Sequence, residues 1–117
     1  RATGSMLADT GSAGDPLMSR CYDTLLGNPD HIAGTLRMMA GWDLPPLLRR
    51  LPKVKMPVWL AAAEGDRTIP PERSTSVARD LPHARTMRIP DLGHLAHEED
   101  PAVFGAIFQE MVTKTAT

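Results

Sequence analysis

Val58-Trp59-Leu60-Ala61-Ala62-Ala63-Glu64-Gly65-Asp66-Arg67-Thr68-Ile69-Pro70-Pro71 is the stretch whose reading decides the fold. Behind Pro57 runs an apolar segment with no polar alternation, ended by a charged turn, which predicts a strand buried on both faces. Pro70-Pro71 then opens a helix to about Leu81, with Val77, Ala78 and Leu81 as its apolar stripe and Pro82 at its end. A second strand follows at about Arg85 to Ile89. Strand, helix and strand within so short a span make a βαβ unit, which forces the strands parallel and the crossover right-handed. The fold class is α/β.

Parallel strands of a βαβ unit leave the sheet at the same edge, so the turns after Ala63 and after Ile89 emerge side by side where such sheets bind ligands. The second turn reads Ile89-Pro90-Asp91-Leu92-Gly93-His94-Leu95-Ala96-His97-Glu98-Glu99. Asp66 and His94 are therefore candidate neighbours. A carboxylate accepting from one imidazole nitrogen fixes the ring's tautomer and orientation and leaves the other nitrogen as a general base near neutral pH. Taken singly, Asp66 is a turn residue capping the next helix and His94 a surface histidine; their pairing favours the catalytic reading. The constellation lacks a nucleophile, which would be a serine, or less often an aspartate or cysteine, on an earlier strand. His94, His97, Glu98 and Glu99 make a poor metal site because no second ligand cluster accompanies them. His97 and the two glutamates read instead as a charged helix start.

Outward from this unit, Asp100-Pro101 caps a last helix whose Val103, Phe104, Ile107, Phe108, Met111 and Val112 should cover a sheet face. Upstream, residues 1–15 are glycine-rich and read as a flexible leading segment in which Ser5 and Ser12 lack the G-x-S-x-G spacing of a nucleophile turn. Residues 16–51 carry three helical patterns: Pro16–Leu26 with Leu17, Cys21 and Leu25 on one face, a second from Asp30 with Ile32, Leu36 and Met39, and a third from Leu44 to Leu51. Met38, Met39 and Trp42 end the second pattern in a soft apolar group, read either as core packing or as the pliable wall of a substrate pocket. His31 and His83 read as surface residues. Residues 52–117 form the βαβα part.

The chain has 117 residues, 42% hydrophobic and 23% charged, the composition of a globular domain or a portion of one. A formal net charge of −1 with mixed signs throughout argues against a nucleic-acid partner. No apolar run reaches the length of a membrane span. The single cysteine, Cys21, sits in an apolar pattern, reads as a buried thiol, and suits a reducing, cytoplasmic compartment. Arg1 rather than Met opens the chain, which reads as a piece of a longer polypeptide.

The order acid then histidine, with Glu-Gly-Asp-Arg-Thr-Ile-Pro-Pro after one strand and Gly-His-Leu-Ala-His-Glu-Glu-Asp-Pro after the next, resembles the C-terminal half of an α/β-hydrolase over roughly residues 53–112. Gly4-Ser5, the stretch His31–Leu44 and the ending His94–Glu99 resemble, more narrowly, the magnesium chelatase accessory proteins of bacteriochlorophyll biosynthesis. The resemblance implies a partial α/β-hydrolase fold: a helical lid over 16–51 followed by the last two parallel strands and their helices. It places Asp66 at the triad acid, His94 at the triad base, and the nucleophile and oxyanion hole upstream of Arg1. It implies no cofactor, a small-molecule substrate, the N-terminal remainder of the same polypeptide as a structural partner, and magnesium chelatase subunits as further partners. Three functions compete: a bacteriochlorophyll accessory hydrolase, a general ester or epoxide hydrolase, and a non-catalytic binder of pigment intermediates. Two parallel strands and a few helices leave edges unsatisfied, so the 117 residues alone should be unstable and inactive.

Overall fold

The computed structural model describes residues 2–115. Its elements run α1 (Ala2–Asp9), α2 (Pro16–Leu26), α3 (Pro29–Ala40), α4 (Leu44–Leu48), a 3₁₀ turn (Leu51–Lys53), β1 (Val58–Ala63), α5 (Glu72–Ala78), β2 (Ala84–Ile89), α6 (Ala96–Glu99) and α7 (Pro101–Thr115). The class is mixed α/β, with a two-stranded parallel sheet among the described residues. The register sets Val58 opposite Ala84 and Ala63 opposite Ile89, so both strands end level.

Local chemistry explains most boundaries. Asp15 caps α2 by accepting from Met18 N–H, and Pro16 occupies the first turn, where a missing N–H costs nothing. Asn28 caps α3 in the same manner through Asp30 and His31 N–H, with Pro29 behind it. At α7, Asp100 accepts from Ala102 and Val103 N–H. The helix expected from Pro70 to Leu81 is shorter, because Pro70 and Pro71 lie in the turn that precedes Glu72.

Four expectations need correction. Residues 1–15, expected to be flexible, contain α1, and Leu7 of that helix is among the most buried side chains of the chain. An apolar residue on an interior face outweighs the weak local preference that glycines signal. In α2, the stripe Leu17, Cys21 and Leu25 faces outward; Met18 is the buried residue, and Cys21 is exposed rather than buried. The helix is rotated so that Met18 packs near Leu7 and Gly14, and apolar spacing alone could not choose between the adjacent stripes. β1 is not buried on both faces: Ala62 and Ala63 are, Val58 to Leu60 are half-buried, and Ala61 is exposed. Trp59 is covered by the Arg85 guanidinium, 4.5 Å from its ring, and Arg85 is in turn paired to Glu110 of α7 at 3.4 Å. Finally, α7 half-buries Val103, Phe104, Ile107 and Met111 but leaves Phe108 and Val112 exposed.

The consequence is an open molecule. Its accessible surface is 8564 Å², against about 6200 Å² for a compact monomer of this mass. The radius of gyration is 16.4 Å, against about 13 Å for a compact domain of this length. Among the described residues the buried apolar side chains are Leu7, Met18, Ala62, Ala63, Leu81, Ile89 and Ala96, a thin core in which three of the seven are alanines. Among the described residues no helix is long and apolar enough to cross a membrane.

So thin a core should not fold cooperatively. The isolated 117-residue chain is expected to show a broad urea transition and to self-associate in sedimentation velocity; a sharp, monomeric two-state transition would contradict this. Gly11→Ala in the natural polypeptide should lose more than about 1 kcal/mol in denaturant unfolding, since its φ of 83° suits glycine and a Cβ there would collide with Gly65 O.

Candidate active site

The level strand ends place the two turns in contact. Glu64 N–H donates to Ile89 O at 2.9 Å and Gly65 N–H to Leu92 O at 2.8 Å, which carries the parallel pairing past the strands into the turns. Asp91 adopts a φ of 61°, a left-handed conformation that aspartate tolerates better than most residues and that turns the chain back toward β1. A Cβ on Gly93 would overlap the Gly11 backbone, so the close approach at that point requires glycine.

Asp66 and His94, 28 positions apart, meet here: His94 Nδ1 lies 2.9 Å from Asp66 Oδ2. The other carboxylate oxygen, Oδ1, accepts from Thr68 N–H and Ile69 N–H, both at 2.8 Å. One oxygen is thus held by its own turn while the other holds the ring. The Asp66 side chain is 13% exposed and that of His94 32%. Partial burial by itself pushes the Asp66 carboxyl up, but the His94 hydrogen bond, then the Ile69 and Thr68 N–H groups, together bring it below its ordinary value. An ionised carboxylate only accepts, so Nδ1 carries a proton, and in the neutral ring Nε2 is then the nitrogen with the lone pair.

The pair opens on a pocket of about 230 Å³ lined by Ala61, Ala62, Ala63, Ile69, Ser74, Ala96, His97 and Phe104. Small alanines on β1 leave the room. His97 stands edge-on to Phe104, ring centres 6.2 Å apart, and its Nε2 is 3.6 Å from Glu98 Oε1. Glu98 also accepts from the Tyr22 hydroxyl at 3.0 Å; burial first, and then this carboxyl, push the Tyr22 phenol above its ordinary value.

Met38, Met39 and Trp42 are not brought to this pocket. They lie on and just beyond α3, exposed by 57%, 48% and 57%. Three other residues do reach the two turns. The Thr10 carbonyl accepts from both Arg67 N–H and His94 N–H, Ser12 Oγ accepts from Leu95 N–H at 2.8 Å, and Glu99 accepts from Gly93 N–H and Ala13 N–H, each at 2.8 Å. Glu99 had a local signal, since an acid in a short helix can reach back to the turn that precedes it. Ser12 had none, because its partner is 83 positions away.

No family model matches the chain. It is 46% identical over 95 residues to the magnesium-chelatase 30 kDa subunit of Rhodobacter capsulatus, a match that covers 81% of this chain and 33% of that protein. It is 32% identical over 89 residues to a Bacillus subtilis (strain 168) protein provisionally named 2-succinyl-6-hydroxy-2,4-cyclohexadiene-1-carboxylate synthase, covering 76% of this chain and 32% of that one. The chain spans about a third of the length of the curated relatives it matches. It is homologous to the C-terminal third of the magnesium-chelatase 30 kDa subunit and, more distantly, related to an α/β-hydrolase-fold synthase.

Proposed function

We propose that Asp66 and His94 are the acid and base of a Ser-His-Asp type triad in an α/β-hydrolase-fold polypeptide that serves magnesium chelatase in bacteriochlorophyll biosynthesis. The supporting observation is the 2.9 Å bond from His94 Nδ1 to Asp66 Oδ2 at the carboxyl edge of a parallel sheet. Asp66 holds the ring and stabilises the imidazolium. Nε2 takes the proton of an attacking hydroxyl and then delivers it to the leaving group. No cofactor is needed for that sequence.

The nucleophile and the oxyanion hole come, in this reading, from polypeptide beyond these 117 residues. Neither Ser5 nor Ser12 has the flanking pattern of a nucleophile turn, and Ser74 lines the pocket without a hydrogen bond to His94. The chain alone is therefore inactive. The pathway and the chelatase subunits as partners rest on homology to the 30 kDa subunit. The substrate is a small-molecule ester, and Met38, Met39 and Trp42 of the lid segment over 16–51, which stand outside the pocket beside His94 in these 117 residues, are its proposed adaptable apolar contacts in the natural polypeptide. A non-catalytic pigment-intermediate binder on the same fold is separated from this reading by the first experiment below.

In the natural polypeptide, His94→Ala should lower kcat toward activated aryl esters on the order of 10⁶-fold and Asp66→Asn on the order of 10⁴-fold. Full activity in His94→Ala would remove the base role. Trp42→Ala should raise KM a few-fold at unchanged kcat, and an unchanged KM would remove that indole from the substrate contacts.

The lowered Asp66 carboxyl also has a stability consequence. Between the folded and unfolded values the unfolded chain binds more protons, so this contribution is complete above the ordinary carboxylate range, about pH 4, and is lost as pH falls through the lowered folded value. Urea midpoints of the natural polypeptide measured across acid pH should therefore climb less steeply with pH in Asp66→Asn than in the wild type.

A further inference from the structure

The turn bearing His94 has three successive backbone N–H groups, and each has a partner outside the turn. Gly93 N–H donates to Glu99 Oε1 at 2.8 Å, His94 N–H to the Thr10 carbonyl at 3.3 Å, and Leu95 N–H to Ser12 Oγ at 2.8 Å. These acceptors are themselves linked. The second Glu99 oxygen accepts from Ala13 N–H at 2.8 Å, so a single carboxyl joins the histidine turn to the 10–13 segment. The Thr10 carbonyl also accepts from Arg67 N–H at 3.1 Å, next to Asp66, so the same segment holds the acid turn. Ser12 is buried, Gly93 is buried, and Gly11 is packed against Gly65 and Gly93 too closely for any side chain.

We infer that Glu99 and Ser12 are positioning residues for the Asp66–His94 pair, acting by fixing the backbone on either side of His94 against the segment Thr10–Ala13. The inference rests on the pair being the acid and base proposed above. The physical ground is that two turns on separate strands have no covalent reason to hold a hydrogen-bonding separation. The parallel ladder ends at Glu64 N–H, the two turns share one further bond, Gly65 N–H to Leu92 O, and beyond that bond the distance between Asp66 and His94 depends on what lies between the turns. A third backbone segment lies there. Glu99 is the one side chain among the described residues that hydrogen-bonds both that segment and the histidine turn. Its position is itself fixed by α6, the short helix Ala96–Glu99 that follows the turn bearing His94 and that Glu99 ends. Glutamine offers one acceptor oxygen where glutamate has two, so Glu99→Gln should keep one of the two N–H bonds and behave between the wild type and Glu99→Ala.

The test uses the natural polypeptide carrying this chain, with its histidines ¹⁵N-labelled. The Nδ1–H proton of His94, hydrogen-bonded to Asp66, is assigned by its disappearance in Asp66→Asn and His94→Ala. Glu99→Ala should lose this resonance to solvent exchange, Glu99→Gln should retain it with faster exchange, and Ser12→Ala should also speed its exchange. In parallel, kcat for an aryl ester should fall roughly 10- to 100-fold in Glu99→Ala, the scale of an ångström's misplacement, with KM within about twofold. A lower melting temperature with an unchanged resonance and kcat would make Glu99 a stability residue only and overturn the inference. Should Glu99→Ala fail to fold, the shape-preserving Glu99→Gln and Ser12→Ala decide it, and an unchanged exchange rate in both overturns it. A wild type lacking the Asp66-dependent resonance would remove the triad reading and this inference together. A wild type that shows it unaltered in the Glu99 and Ser12 variants removes the inference alone.

Discussion

The parallel pairing of β1 with β2, with Ala63 opposite Ile89, is the constraint on which the rest of this molecule depends. Because the strands end level, residues soon after each must share one edge of the sheet. Two hydrogen bonds, Glu64 N–H to Ile89 O and Gly65 N–H to Leu92 O, extend the ladder just beyond the strands and bring Asp66 within reach of the His94 ring. A register shift of one residue would displace one turn by roughly 3 Å, more than a hydrogen bond tolerates. It would also turn the alternating side chains of one strand to the opposite face.

Electrostatics then completes what backbone geometry begins. Asp66 divides its two oxygens between structure and chemistry, one receiving the Thr68 and Ile69 N–H groups and the other facing His94. The backbone donors help to keep the carboxyl ionised against its partial burial, so that it can only accept. That fixes the proton on Nδ1 and frees Nε2. Aligning the ring requires a rigid carboxylate, and the turn after β1 provides one from its own amides.

The same chain is poorly self-contained. Its surface exceeds that of a compact monomer of equal mass, and Leu17, Leu36, Met38, Met39, Trp42, Leu47 and Phe108 remain exposed. The ordered centre is where the turns after β1 and β2 meet the 10–13 segment. The first three helices pack in sequence order, α1 on α2 and α2 on α3, and contribute little to covering the sheet. This explains how a site with several hydrogen bonds of 2.8–2.9 Å can coexist with so thin a core.

By itself the sequence determined the α/β class, the limits of β1, the capped starts of α2 and α7, and the adjacency of Asp66 and His94. Each of these rests on local rules: an unbroken apolar run, an Asp-Pro cap, and the handed geometry of a βαβ crossover. The tertiary structure alone decided which stripe of α2 faces inward, leaving Cys21 exposed, and that the glycine-rich start forms α1 around a buried Leu7. It alone joined Ser12 to Leu95 and Ala13 to Glu99, across 83 and 86 positions. Contacts of that range leave no periodicity in the chain, because they depend on which surfaces meet after the elements have formed.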